Sequence, residues 1–138
     1  MIQLIIGEKG KGKTKVLLEK ANSNVFDAKG NVVYLDKSTK HMYELNNKVR
    51  LIDVSQYDIY NSDSFVGFLC GIISQDHDLE QMYFDNFLSI ACCEDNYEEV
   101  LNKIEQISNK FKVDFVISMS KVESDFSDAW KNCIIAAL

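Results

Sequence analysis

The stretch LIIGEKGKGKTKVLLEKA, from Leu4 to Ala21, decides the fold of this chain. The short apolar run Gln3–Ile6 ends at a glycine and is typical of a buried strand. From Lys13 to Ala21, apolar residues recur on one side of a helix. Between them, three of the chain's six glycines fall within six positions. The stretch therefore predicts a strand, a glycine-rich loop and a helix, in that order.

The rest of the chain alternates strands with helices. Apolar runs predict further strands in segments 30–36, 79–87, 112–120 and 132–138, and helices in 62–78, 94–111 and 123–130. After the second strand, Asn46 and Asn47 favour a small β-hairpin between 41–45 and 48–54. This order predicts one α/β domain over residues 1–138, a three-layer α/β/α fold with a mostly parallel sheet.

The composition excludes several classes of protein. The chain is 46% hydrophobic and 26% charged, with no run of 18 apolar residues, and its N-terminus lacks the pattern of a signal peptide. We expect a cytoplasmic protein with no membrane insertion. The four cysteines therefore read as reduced thiols. A metal site using His41 or His77 is the weaker alternative, because the cysteine spacing fits no common zinc pattern.

Charge is distributed unevenly along the chain. The net charge is −6, yet residues 1–50 carry ten Lys/Arg against five Asp/Glu. An acidic protein binds nucleic acid poorly, so a nucleic-acid partner is not expected. The basic first third instead favours one local anion site, although solvated surface lysines would give the same count.

The segment Gly7–Thr14, GEKGKGKT, matches the pattern G-x-x-x-x-G-K-[ST]. It resembles the Walker A loop of the P-loop NTPases, and the chain resembles their additional-strand division, RecA-like in the broad sense. The resemblance implies a P-loop NTPase core that binds ATP or GTP with Mg²⁺. The candidate nucleotide-binding residues in this region are Gly7, Glu8, Lys9, Gly10, Lys11, Gly12, Lys13, Thr14 and Lys15.

The residue types in this loop suit phosphate. Glycine lets backbone N–H groups turn inward at positive φ, and the helix N-terminus adds further free amides. The resemblance implies that Lys13 contacts the β- and γ-phosphates, with a catalytic role, and that the Thr14 hydroxyl ligates Mg²⁺. The other lysines raise the local potential, and Lys11, at the apex of the loop, is the foremost of them.

A P-loop enzyme also uses a carboxylate at the end of an apolar strand to hold Mg²⁺. Three aspartates compete for this role: Asp36, Asp53 and Asp85. Asp85 is favoured because it ends a strand that follows a helix, the position that the family uses. Thr14 and Asp85 are thus the predicted metal-binding pair.

Three features concern the chemistry. Asn86 stands where large ATPases of this family carry a glutamate, and an amide orients a water without taking its proton. It is the second candidate catalytic residue. Ser118, with Ser120 nearby, falls where the family often places a γ-phosphate sensor. Arg50 is the only arginine, so a charge-stabilising arginine must be this residue or come from a partner.

The sequence therefore predicts a nucleoside triphosphate-binding protein that hydrolyses its ligand slowly, or acts as a switch, with an activating protein partner or self-association. One alternative is a small-molecule kinase, in which Asp36 or Asp53 serves as the base near the acceptor hydroxyl. Another is an assembly module that binds nucleotide or phosphate without turnover. The sequence leaves the choice between ATP and GTP open.

Overall fold

The computed structural model describes all 138 residues and contains one six-stranded parallel sheet. The strands are β1 (Ile2–Ile6), β2 (Asn31–Asp36), β3 (Val49–Asp53), β4 (Leu79–Phe84), β5 (Asp114–Met119) and β6 (Ile134–Ala137). Their order across the sheet is β3-β2-β4-β5-β1-β6. Every pairing is parallel, so the mostly parallel sheet predicted from the sequence is confirmed.

Helices cover both faces of this sheet. They are α1 (Lys13–Asp27), α2 (Ser62–Gln75), α3 (Phe87–Ile90), α4 (Tyr97–Phe111) and α5 (Asp128–Lys131). One core cluster joins α1 to one face of the sheet, and a larger cluster joins α2, α3 and α4 to the other. The three-layer α/β/α fold is thus confirmed. No helix is long and apolar enough to cross a membrane.

The longest helices follow from clear sequence signals. In α4, the apolar side chains of Val100, Leu101 and Ile104 are buried. Glu98 and Glu99 lie in the first turn, where negative charge interacts favourably with the helix dipole. The start of α2 is closed by a capping box between Asn61 and Ser64. These local signals explain why both helices were predictable.

The β-hairpin predicted after the second strand is wrong. β3 pairs with β2 in parallel, and the segment between them holds only a 3₁₀ turn at Met42–Glu44. Neither Asn46 nor Asn47 adopts the positive φ that a two-residue hairpin turn requires. The Asn46 side chain instead accepts a hydrogen bond from the Lys48 amide at 2.9 Å. After β2, the chain therefore returns to the end of the sheet at which β2 begins. It then enters β3 in the same direction as β2.

The parallel arrangement determines where functional groups gather. All six strands end at the same edge of the sheet, and the loops that follow them meet there. The glycine-rich loop (Gly7–Gly12) follows β1 at this edge, and Asp85 follows β4. β5 lies between β1 and β4, so its last residues separate the loop from Asp85.

Candidate functional site

The glycine-rich loop depends on backbone conformations that favour glycine. Gly10 has a φ of 85° and Gly12 a φ of 92°. A Cβ at either position would meet nothing within 4 Å, so the requirement for glycine comes from the backbone angle and not from crowding. Gly12 is the N-cap of α1, which places the free amides of that helix directly beside the loop.

Lys13 points back into the loop. Its side chain donates a hydrogen bond from Nζ to the carbonyl oxygen of Glu8 at 2.9 Å, and the residue is only 9% exposed. Burial lowers the pKa of Lys13, an effect that the nearby Asp85 carboxylate opposes. The Lys13 amino group is therefore held against the backbone of the loop by a carbonyl oxygen.

Asp85 is the centre of a hydrogen-bond network and is 5% exposed. Its Oδ1 accepts a hydrogen bond from Thr14 Oγ1 at 3.0 Å, and its Oδ2 accepts one from the Tyr34 hydroxyl at 2.8 Å. Its backbone amide donates to the carbonyl oxygen of Leu35 at 3.0 Å, which ties the end of β4 to β2. The structure thus brings the predicted pair Thr14 and Asp85 into direct contact.

Ser118, near the end of β5, also belongs to this hydrogen-bond network. Its hydroxyl lies 3.2 Å from Asp85 Oδ1 and accepts a hydrogen bond from the Asn86 amide at 2.8 Å. Asn86 itself has a φ of 58°, and its side chain does not cap α3, whose N-cap it is. The buried hydroxyl of Ser118 therefore ties the end of β5 to the end of β4 and to the residues that follow it.

A polar cavity of about 400 Å³ lies above these groups. None of its lining residues is hydrophobic, and three of them are lysines against a single carboxylate. Such a lining suits an anionic ligand with many oxygen atoms. The cavity is lined by Lys9, Gly10, Gly12, Lys13, Thr14, Lys40, Asp85, Asn86, Ser118 and Ser120.

Four of the predicted loop residues do not line this cavity. Gly7 is buried beneath the loop, where its amide donates to the carbonyl oxygen of Lys121 at 2.9 Å. Glu8 contributes its carbonyl oxygen to Lys13, while its side chain is exposed. Lys11 and Lys15 are also exposed. Lys9 is the one lysine preceding Lys13 that reaches the cavity.

The competing aspartates have different surroundings. Asp53 is half-buried at the end of β3, where it accepts hydrogen bonds from the amide and hydroxyl of Ser55. Asp36 ends β2 and is only 8% exposed; its Oδ1 accepts from the Lys37 amide, but its Oδ2 is buried without a partner. Burial and then the neighbouring Asp85 raise the pKa of Asp36. Neither aspartate contacts Thr14.

Arg50 lies away from the cavity. Its guanidinium is 3.9 Å from Asp76, the C-cap of α2, at the edge of the sheet where β2 and β4 begin. The cation that the sequence did not single out is Lys40, which follows β2 and lines the cavity. The only signal for Lys40 was its position four residues after Asp36, at the end of a strand next to β4.

The oxygen atoms of Thr14 and Asp85 are of the type that Mg²⁺ prefers. No group of three or more His, Cys, Asp or Glu side chains is placed to hold a metal ion. Mg²⁺ commonly keeps several waters and takes further oxygens from substrate phosphates, so two protein oxygens are compatible with it. These residues fit Mg²⁺ that arrives with a phosphate ligand.

Comparison of the sequence with known proteins gives no further assignment: no protein-family model matches it, and no curated protein gives a significant match.

Proposed function

We propose that this protein binds a nucleoside triphosphate, ATP or GTP, with Mg²⁺ through the loop Gly7–Thr14. The observation that carries the proposal is the 3.0 Å hydrogen bond between Thr14 Oγ1 and Asp85 Oδ1. These residues are 71 positions apart in the chain, and they are the pair that the resemblance to P-loop NTPases names as metal ligands. The position of β5 between β1 and β4 is consistent with the additional-strand division.

The charges in the cavity support a phosphate ligand. Lys9, Lys13 and Lys40 line it, and none of the three forms an ion pair with a carboxylate of the protein. The one carboxylate in the lining, Asp85, is already engaged by hydroxyl groups. A triphosphate would provide the missing negative charge, and the free amides at the start of α1 would bind its oxygens.

The same lining argues for slow hydrolysis. Apart from Asp85, which is assigned to the metal, the cavity contains no carboxylate or histidine able to take a proton from water. Asn86 orients a water at most. Arg50 is held at the other edge of the sheet, so no arginine of this chain stabilises charge on the transferring phosphoryl group. Fast turnover would require a group from a partner protein or from a second copy.

Phosphate release from ATP and from GTP tests the proposal. We expect slow, Mg²⁺-dependent release by the wild-type protein and none by Lys13→Ala. Equal release by the two proteins would show that the activity comes from elsewhere. Nucleotide binding without any phosphate release, under all conditions tried, would support the proposed binding site but contradict the proposed hydrolysis.

A second candidate function is phosphoryl transfer to a small acceptor molecule. The observation that favours it is the buried Oδ2 of Asp36, which has no hydrogen-bond partner. An unpaired buried carboxylate oxygen is costly, and a catalytic role is one of the explanations for such a group. Asp36 ends the strand next to β4, and the loop that follows it carries Lys40 into the cavity.

The two functions differ in their products. A phosphotransferase releases ADP or GDP only when an acceptor is added, whereas a hydrolase releases phosphate without one. Screening a panel of hydroxyl-bearing metabolites for acceptor-dependent ADP formation distinguishes them. In a phosphotransferase, Asp36→Asn should lose transfer while keeping nucleotide affinity, because Asp36 does not line the phosphate cavity.

A further inference from the structure

Tyr34 places a buried phenol directly behind Asp85. The residue lies in β2, is fully buried, and packs in the core layer beneath α1. Its hydroxyl donates a hydrogen bond to Asp85 Oδ2 at 2.8 Å. An ionised carboxylate can only accept hydrogen bonds, so the Tyr34 hydroxyl is the donor in this pair.

The two oxygens of Asp85 have separate partners. Oδ1 faces the hydroxyl groups of Thr14 and Ser118, whereas Oδ2 faces Tyr34. Rotation of a carboxylate about its last torsion is soft, so the direction of the oxygens is determined by hydrogen bonds. The Tyr34 ring is enclosed on all sides and cannot follow such a rotation. It therefore holds Oδ2 in place and leaves Oδ1 directed at Thr14.

We propose that Tyr34 is a positioning residue that orients Asp85 for the Mg²⁺ ion of a bound nucleotide. The inference rests on the proposed nucleotide-binding function and adds a role for a core residue that touches neither the cavity nor the ligand. Hydrogen-bond partners of carboxylates at metal sites commonly change metal affinity by 10- to 100-fold when they are removed. Tyr34 then determines how tightly the metal is held, and not how tightly the nucleotide is held without it.

Tyr83 provides a matched control. It is paired with Tyr34 across β2 and β4, is equally buried, and its ring lies 6.3 Å from the Tyr34 ring at an angle of 14°. Its hydroxyl bonds to Asn24 and Gln81 instead of Asp85. Tyr83→Phe therefore removes a buried hydroxyl from the same core layer without changing the environment of Asp85.

The experiment measures nucleotide binding by calorimetry over a range of Mg²⁺ concentrations, and again in excess chelator, for wild type, Tyr34→Phe and Tyr83→Phe. We expect Tyr34→Phe to raise the Mg²⁺ concentration for half-maximal effect by about tenfold or more. Its affinity for nucleotide in chelator should stay within about twofold of wild type. Tyr83→Phe should leave both quantities within about twofold. Thermal melting of the two variants separates a change in stability from a change in metal affinity.

A double-mutant cycle with Asp85→Asn gives the second readout. If Tyr34 acts through Asp85, then Tyr34→Phe should have no further effect on the Mg²⁺ response once Asp85 is Asn. An unchanged Mg²⁺ response in Tyr34→Phe, or a shift shared by Tyr83→Phe, overturns the role of Tyr34 but leaves nucleotide binding standing. Absence of nucleotide binding by the wild-type protein overturns the proposed function and this inference together.

Discussion

The ends of β4 and β2 are neighbours in the sheet, and each carries a buried aspartate. The two aspartates differ in the hydrogen bonds that they accept. Asp85 accepts three hydrogen bonds through its two oxygens, from Thr14, Ser118 and Tyr34. Asp36 accepts one from the Lys37 amide, and its Oδ2 has no partner. Both residues follow apolar strands in the sequence, so the strand pattern alone does not distinguish them.

A buried carboxylate requires hydrogen-bond donors for both of its oxygens. Asp85 is compensated by hydroxyl donors supplied from α1, β2 and β5, and hydrogen bonds to a carboxylate are stronger than those between neutral groups. Asp36 has no equivalent set of donors. Burial and repulsion from Asp85 both disfavour its charged form. We infer that Asp85 belongs to a complete binding site, whereas Asp36 lacks a hydrogen-bond partner for one oxygen. Asp36 either gains that partner from a ligand or lowers stability.

The largest effect is expected when Asp85 is replaced. Asp85→Asn removes the charge but keeps the size of the side chain, and we expect the Mg²⁺-dependent gain in nucleotide affinity to fall by about 10- to 100-fold. Asp53→Asn is the matched control, because Asp53 also ends a strand but is only half-buried and bonds to Ser55 beside it in the chain. Calorimetry with and without Mg²⁺ measures the gain. Equal losses in the two variants would show that Asp85 has no special role.

A smaller effect is expected at Lys40. A charge-assisted hydrogen bond to phosphate contributes about 1.5 kcal/mol or more, so Lys40→Ala should weaken triphosphate binding by about tenfold. Lys40→Arg should retain most of the affinity. Lys11→Ala serves as the control, since Lys11 is exposed and outside the cavity lining. If removal of Lys11 costs as much as removal of Lys40, the effect is one of general charge and not of position.

The smallest effect concerns stability at Asp36. Its raised pKa means that the folded protein binds this proton more tightly than the unfolded chain, so the carboxylate costs stability at neutral pH. Asp36→Asn should raise the free energy of unfolding by about 1 kcal/mol at pH 7. The gain should shrink as the pH falls from the raised pKa of Asp36 towards its ordinary value, because in that range the folded wild-type carboxyl becomes neutral while the unfolded one is still charged. Denaturant melts across this pH range measure it, and a destabilised Asp36→Asn would contradict the comparison.

Much of this arrangement could be predicted from the sequence, because its signals are local. The glycine pattern identified the loop, and the alternation of strands and helices identified the parallel sheet that carries Thr14 and Asp85 to one edge. The route into β3 could not be predicted, since it depends on a hydrogen bond from the Asn46 amide to the Asn22 side chain and one from the Lys48 amide to the Asn46 side chain. Tyr34 and Lys40 were also missed. Their roles arise from strand order, which places residues far apart in the chain beside Asp85.

Binding of a nucleoside triphosphate by the loop through Lys13 can be tested by one calorimetric comparison. MgATP and MgGTP are titrated into the wild-type protein, Lys13→Ala and the control Lys15→Ala, whose lysine is exposed on α1. We expect saturable binding by wild type and Lys15→Ala, and loss of binding in Lys13→Ala. No binding by the wild-type protein, or unchanged binding by Lys13→Ala, would contradict this expectation.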